Sequence, residues 1–229
     1  MKNKLKNYLL IVVTCLLITF NSNSQDTGES TLGTWYEITL SNRISDKISI
    51  SGSLTNWNFE LFENQQLLLG IVGVNYHINK NVSAGIGYSN GSIDTTFEDT
   101  DSPYIQENRI LEQLSIKHKS KNIVWSHRFR LEQRFLEYPN EDILKHRIRY
   151  KFKGSLPINK TLFIAVYDEI HFNLNEFDFH QNRAYIGLGA KLNKNINVLA
   201  GYARHSFKTK SFNRLSIQAN LNFDFRKEN

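Results

Sequence analysis

Leu215-Ser216-Ile217-Gln218-Ala219-Asn220-Leu221-Asn222-Phe223-Asp224-Phe225 alternates apolar and polar side chains without a break. Successive side chains of a strand point to opposite faces, so this segment has one apolar face and one polar face. The same period runs through the rest of the chain. Tyr36, Ile38 and Leu40 alternate with Glu37, Thr39 and Ser41, and Ile48, Ile50 and Leu54 with Ser49, Ser51, Ser53 and Thr55. Val82, Ala84, Ile86 and Tyr88 alternate with Ser83, Gly85, Gly87 and Ser89.

A soluble sandwich alternates too, but three features favour a membrane. The segments run about 10–14 residues, long enough to cross a bilayer at a tilt and longer than the usual strand of about 5–6. Tyr, Phe and Trp recur near segment ends, as interfacial girdles do. The presumed inner face carries Arg, Lys, Glu, Asn and Gly rather than a second apolar layer. The expected fold is therefore all-β, an antiparallel transmembrane β-barrel of about 10–12 strands. Eleven segments are found. Single-chain bacterial barrels have an even number, which favours twelve, with residues 25–32 supplying a further short strand.

The segments are joined by a recurring turn: Ile78-Asn79-Lys80-Asn81-Val82, Ile158-Asn159-Lys160-Thr161-Leu162 and Leu192-Asn193-Lys194-Asn195-Ile196. Asn tolerates the left-handed backbone that tight hairpins need. These short connections are expected on the periplasmic side. Residues 90–103 form the longest connection, with Asp94, Glu98, Asp99 and Asp101, and are expected outside the cell.

The first residues give the address. Lys2, Lys4 and Lys6 precede an apolar run from Tyr8 to Phe20, and Asn21 to Gln25 are polar and small. That is the pattern of a secretory signal peptide, with an apolar run too short to span a bilayer as a helix. The expected division is a signal peptide over residues 1–24 and a barrel domain over 25–229, in the outer membrane of a Gram-negative bacterium. Lipid attachment at Cys15 is disfavoured, because Thr14 is bulky and the apolar run continues past the cysteine. Cys15 is the sole cysteine and leaves with the signal, so no disulfide, thiolate metal site or cysteine nucleophile is expected afterwards. The whole chain has 28 basic and 22 acidic residues; losing the three lysines lowers the net charge from +6 to +3. No compact basic patch or nucleic-acid motif accompanies that charge, and no nucleic-acid partner is expected.

The middle of the chain is the most distinctive part. In His127-Arg128-Phe129-Arg130-Leu131-Glu132-Gln133-Arg134-Phe135, the apolar Phe129, Leu131 and Phe135 share one face, and Arg128, Arg130, Glu132 and Arg134 share the other. His146-Arg147-Ile148-Arg149-Tyr150-Lys151-Phe152 repeats the pattern. A basic side chain on the lipid face costs about 2–4 kcal/mol at the midplane, so the ladder is expected to point inward. Charges inside a narrow barrel need partners, and Glu112, Glu132 and Glu169 are the expected ones. Two readings follow. The network fills and locks a closed structural barrel, or the surplus of Arg128, Arg130, Arg134, Arg147, Arg149, Lys151 and Arg183 lines a narrow passage that favours anions.

These phrases also carry a resemblance. Gly33-Thr34-Trp35, Glu107-Asn108-Arg109, the string from His127 to Phe135, Asp168-Glu169 and Gln181-Asn182-Arg183 together resemble the DUF2490 family of bacterial outer-membrane proteins, frequent in Bacteroidetes. The likeness covers most of the chain after the signal and implies a barrel, with no activity attached to it. One departure lies at the end, where Phe225 is followed by Arg226, Lys227, Glu228 and Asn229. Outer-membrane barrels usually finish on an aromatic recognised by the assembly machinery.

Catalysis is weakly signalled. Ser126 and His127 are adjacent on a strand and face opposite ways, so they cannot pair as nucleophile and base. Glu169 and His171 share a face and are the candidate acid–base pair of an alternative reading as a lipid or peptide hydrolase. His171 and His180 flank one connection, which is the best metal spacing available. No catalytic, cofactor-binding or metal residue is assigned, and no cofactor is implied. A loop-mediated binding protein is the other alternative. The expected partners are outer-membrane lipid, the barrel assembly machinery during insertion and a small anionic solute.

Overall fold

A computed structural model describes residues 28–97 and 104–226. The signal segment, Cys15, the centre of the 90–103 connection and the last three residues lie outside the described residues.

Eleven strands follow one another in chain order: β1 (Leu32–Arg43), β2 (Ile48–Asn58), β3 (Gln65–His77), β4 (Val82–Ile93), β5 (Ile105–Ser120), β6 (Ile123–Glu137), β7 (Asp142–Pro157), β8 (Leu162–Asn173), β9 (Asp178–Lys191), β10 (Ile196–Phe207) and β11 (Ser211–Asp224). Each pairs with its sequence neighbours, and β1 pairs with β11 to close the barrel. The expected twelfth strand is absent from the described residues. Residues 28–31 form bends, and the first strand begins at Leu32.

The odd count is accommodated by the closing seam. Strands one and eleven of an up-and-down barrel run the same way, so their pairing has to be parallel. The pairs Leu32↔Asn213 through Arg43↔Asp224 are parallel, while every other pairing is antiparallel. Parallel pairing is slightly weaker per residue. This seam is fastened at both ends: Ser211 N donates to Glu29 Oε1 at 2.6 Å, and Arg226 bridges Asp224 and Asp46.

The recurring turn folds the same way each time. Asn79, Asn159 and Asn193 each accept two backbone N–H bonds through Oδ1, from the residues two and three places on. Ser45 does the same with Oγ for Lys47 and Ile48. All these turns stand at one end of the barrel, and the two longest connections, 59–64 and 94–104, at the other. Replacing Asn159 with Ala removes the one oxygen that accepts both bonds. It should cost about 0.5–1.5 kcal/mol for each bond lost, read as a lower urea midpoint of the refolded protein.

The outer face is apolar from strand to strand. Ile38, Ile50, Val72, Ile86, Ile148 and Ile217 are among its exposed side chains. The inner face departs from expectation. Trp35, Trp57, Leu67, Leu69, Phe163, Tyr167, Tyr185 and Leu199 form a buried apolar cluster inside the barrel. An apolar layer therefore does exist, on the β8–β10 and β1–β3 walls, and charge is concentrated on β5–β8. Trp35 and Trp57 meet edge to face at 5.5 Å, so neither serves an outer girdle. Glycines make the room: a Cβ at Gly189 would lie 2.2 Å from Phe163 Cζ, and one at Gly187 would meet the Tyr185 hydroxyl.

Candidate functional site in the barrel lumen

Strand pairing sorts the inward charges into rows. One row runs Arg128–Lys151–Glu169–Arg183 across β6 to β9. The next runs Gln113–Arg130–Arg149–His171, and a third runs Leu111–Glu132–Arg147–Asn173. In these rows the inward residues of β7 are all basic, and the acids stand on the neighbouring strands, Glu132 on β6 and Glu169 on β8.

Three carboxylates gather the guanidinium groups. Glu107 binds Arg109 at 2.6 Å and also Arg134. Glu132 accepts from Arg147 Nε at 2.6 Å and Arg149 Nη1 at 2.6 Å, with Arg130 at 3.9 Å. Glu169 accepts from Arg128 at 2.7 Å and from Arg149 at 2.8 Å. Arg149 therefore bridges Glu132 and Glu169. The side chains of Glu107, Glu132 and Glu169 are 0, 0 and 1% exposed, which makes these bonds the carboxylates' whole solvation. Charge-assisted pairs of this kind are the strong ones.

The structure thus gathers Arg128, Arg130, Glu132, Arg134, Arg147, Arg149, Lys151, Glu169 and Arg183 on the inner wall. It does not bring Glu112 there. Glu112 is exposed on the outer face, paired in register with Ile86 and Leu131. The reason is parity, since Glu112 shares its face with Ile110 and Leu114, whereas Glu107, Arg109, Leu111 and Gln113 share the other. Glu107 takes the role expected of Glu112, and the alternation of Ile110 with Arg109 was the signal that pointed to it. Asp168 is also outward, accepting from Asn182 Nδ2 at 2.9 Å. In the β10–β11 connection, Lys208 pairs with Asp178 at the start of β9, and that hydrogen bond holds the Lys208 pKa above its ordinary value.

A second group was not foreseen. Arg130 donates to Gln113 at 2.8 Å, Gln113 to Asn75 at 2.9 Å, and Asn75 to Ser51 at 3.2 Å. This relay crosses β4 where Gly85 has no side chain; a Cβ there would lie 2.4 Å from Asn75 Oδ1. Arg214 on β11 binds the Asn58 carbonyl and Gln66 without any carboxylate.

The candidate catalytic groups form no hydrogen-bonded set among the described residues, and neither ring nitrogen of His171 has a hydrogen-bond partner. Ser126 is on the inner face in register with Lys117 and Lys153, and His127 is outside with Nδ1 at 2.9 Å from the Tyr150 hydroxyl. His171 Nε2 is 3.7 Å from Glu169 Oε2, while Glu169 Oε1 accepts from both Arg128 and Arg149. His171 and His180 stack at 6.3 Å. Among the described residues, no three His, Cys, Asp or Glu side chains converge on a metal-sized site.

Beside the ion-pair wall lies a cavity of about 590 Å³. Its lining reaches Ser41, Ser49 and Lys117 near the turn end, and Lys145, Lys210 and Phe212 near the loop end. Beyond Trp35, Glu37 and Trp57, the β1 and β2 lining consists of Gly52 and small hydroxyl side chains, Thr39, Ser51, Ser53 and Thr55 among them, which leave space there. Eleven Arg and Lys side chains line the cavity, against Glu37, Asp94 and Glu169.

Fold and interior together define a closed eleven-stranded β-barrel whose lumen holds an arginine–glutamate network. The chain belongs to the DUF2490 family of proteins of unknown function, whose profile matches residues 32–216. Comparison with curated proteins gives no match. Among solved structures, the chain is remotely similar to the translocator domain of autotransporter NalP from Neisseria meningitidis. That similarity has 12% identity over 73% of this chain and 71% of that one, with a TM-score of 0.40.

Proposed function

We propose that the protein sits in the outer membrane of a Gram-negative bacterium and that its lumen is a narrow passage favouring small anions. The membrane reading is supported by the continuous apolar outer face on strands of 11 to 16 residues. No soluble surface needs so large an apolar area. In this reading outer-membrane lipid is the permanent partner and the barrel assembly machinery a transient one.

The passage reading rests on one observation: a single cavity draws its lining from both ends of the strands and carries eleven cations against three carboxylates. Basic side chains lining a pore select anions. The ion-pair network is the fixed wall of that passage and is not its obstruction, because Glu107 and Glu132 stand behind the lining. The reading includes no catalytic step, and Glu169 is committed to Arg128 and Arg149.

The test is conductance of the refolded protein in a planar bilayer under a potassium chloride gradient. Discrete steps with an anion-directed reversal potential are expected. The double variant Arg128→Gln, Arg130→Gln should move that potential toward zero, since both residues line the cavity. A silent but folded barrel would show a closed structural protein instead. Conduction with selectivity unchanged in the variant would remove these arginines from the passage.

A further inference from the structure

Two groups of inward cations differ in their partners. Arg109, Arg128, Arg134, Arg147 and Arg149 are neutralised by carboxylates. Lys151 and Arg183 have no carboxylate within 4.0 Å among the described residues. Each is held on an aromatic face: Lys151 Nζ lies 3.5 Å from the Tyr167 ring centre, and Arg183 Cζ lies 4.4 Å from that of Trp57. A π face fixes a cation while leaving its charge uncompensated and its donors free. Arg183 makes one side-chain hydrogen bond, from Nε to Gln181 at 3.2 Å, which leaves its two terminal nitrogens unused. Lys151 and Arg183 flank Glu169 in one register row, and all three line the cavity.

The remaining walls of the cavity are equally specific. Ser51, Ser53 and Thr55 present hydroxyls to it. Trp35 and Trp57 also line it, both more than nine-tenths buried, and their indole N–H groups have no partner in the protein. A halide is one atom and meets only a few of these groups at once, and an apolar acid would strip the hydroxyls of water without replacing it. A ligand that satisfies every wall carries an oxyanion for Lys151 and Arg183 and several hydroxyls besides.

We infer that the cavity beside Lys151 and Arg183 is a binding station for a polyhydroxylated organic anion of the sugar-acid class. The oxyanion is held by the two π-supported cations, and the ligand's hydroxyls hydrogen-bond with the Ser/Thr wall. The inference rests on the proposed solute-accessible lumen and adds the class of solute that lingers there.

The experiment titrates the refolded full barrel domain with D-glucuronate, reading tryptophan fluorescence and heat. Two controls share one feature each: cyclohexanecarboxylate has the ring and the charge, and D-glucose has the hydroxyls. Glucuronate is expected to bind at least about tenfold more tightly than either, and Arg183→Gln or Lys151→Met to weaken it at least about tenfold, the scale of one charge-assisted bond. Equal affinity for glucuronate and cyclohexanecarboxylate would overturn the inference, as would unchanged affinity in both variants. Should a variant fail to show the heat-modifiable migration of a folded barrel, the three-ligand comparison on the native sequence decides alone. Glucuronate binding by a barrel silent in the bilayer would retain the station and discard the passage. A conducting barrel indifferent to glucuronate would do the reverse.

Discussion

Changing Glu132 to Gln should lower the unfolding free energy by about 3–5 kcal/mol, because it leaves buried guanidinium groups without their counter-charge. Glu132 is fully buried and accepts from both Arg147 and Arg149, with Arg130 close by. Glutamine keeps the shape and one acceptor oxygen but loses the charge that solvates three cations. Arg149 would retain Glu169, whereas Arg147 has no second carboxylate among the described residues. The matched control is Glu112→Gln. That carboxylate stands on the outer face between Ile86 and Leu131, so removing its charge should leave stability unchanged or raise it. Urea midpoints of both variants in the same lipid vesicles check the pair. Similar losses for the two would contradict the assignment of Glu132 to the inside and Glu112 to the outside.

Changing Trp57 to Ala should cost about 3–5 kcal/mol, the usual range for truncating a buried large aromatic. Trp57 is 6% exposed and packs edge-on against Trp35 at 5.5 Å and His205 at 4.6 Å. It also carries the Arg183 and Arg214 guanidinium groups on its ring. Its loss widens the lumen and frees Arg183, so unit conductance should rise as stability falls. Trp125→Ala is the contrast, because that ring stacks on Phe152 on the outer face and no lumen group depends on it. A Trp57→Ala protein as stable as its parent would show that the interior aromatic cluster does not hold the barrel together.

Period-two alternation was legible along the whole chain because a strand's side chains obey it wherever one face is apolar and the other is not. It yielded eleven segments, and eleven strands stand among the described residues. The expectation of an even number failed because parity is not a local property. It depends on whether the first and last strands meet parallel or antiparallel, and here they meet parallel. The repeated Asn turns were legible for a local reason, since each Asn side chain bonds backbone only two and three residues away.

The inner wall was only partly legible. Arg128, Arg130, Glu132 and Arg134 declare their face by alternating with Phe129, Leu131 and Phe135, and Glu112 was misplaced by attending to charge before parity. The pairing Glu169–Arg149, the relay from Arg130 to Ser51 and the stacking of Arg183 on Trp57 join residues 20, 79 and 126 positions apart in the chain. By itself the sequence determined the strands, their turns and the face of most side chains, because those follow from backbone geometry over a few residues. Only the tertiary structure decided the parallel closure, the aromatic filling of half the lumen and the choice of which cations stay uncompensated. Those depend on which inward side chains meet across the barrel, and that is set by strand stagger and by the space that glycines and serines leave.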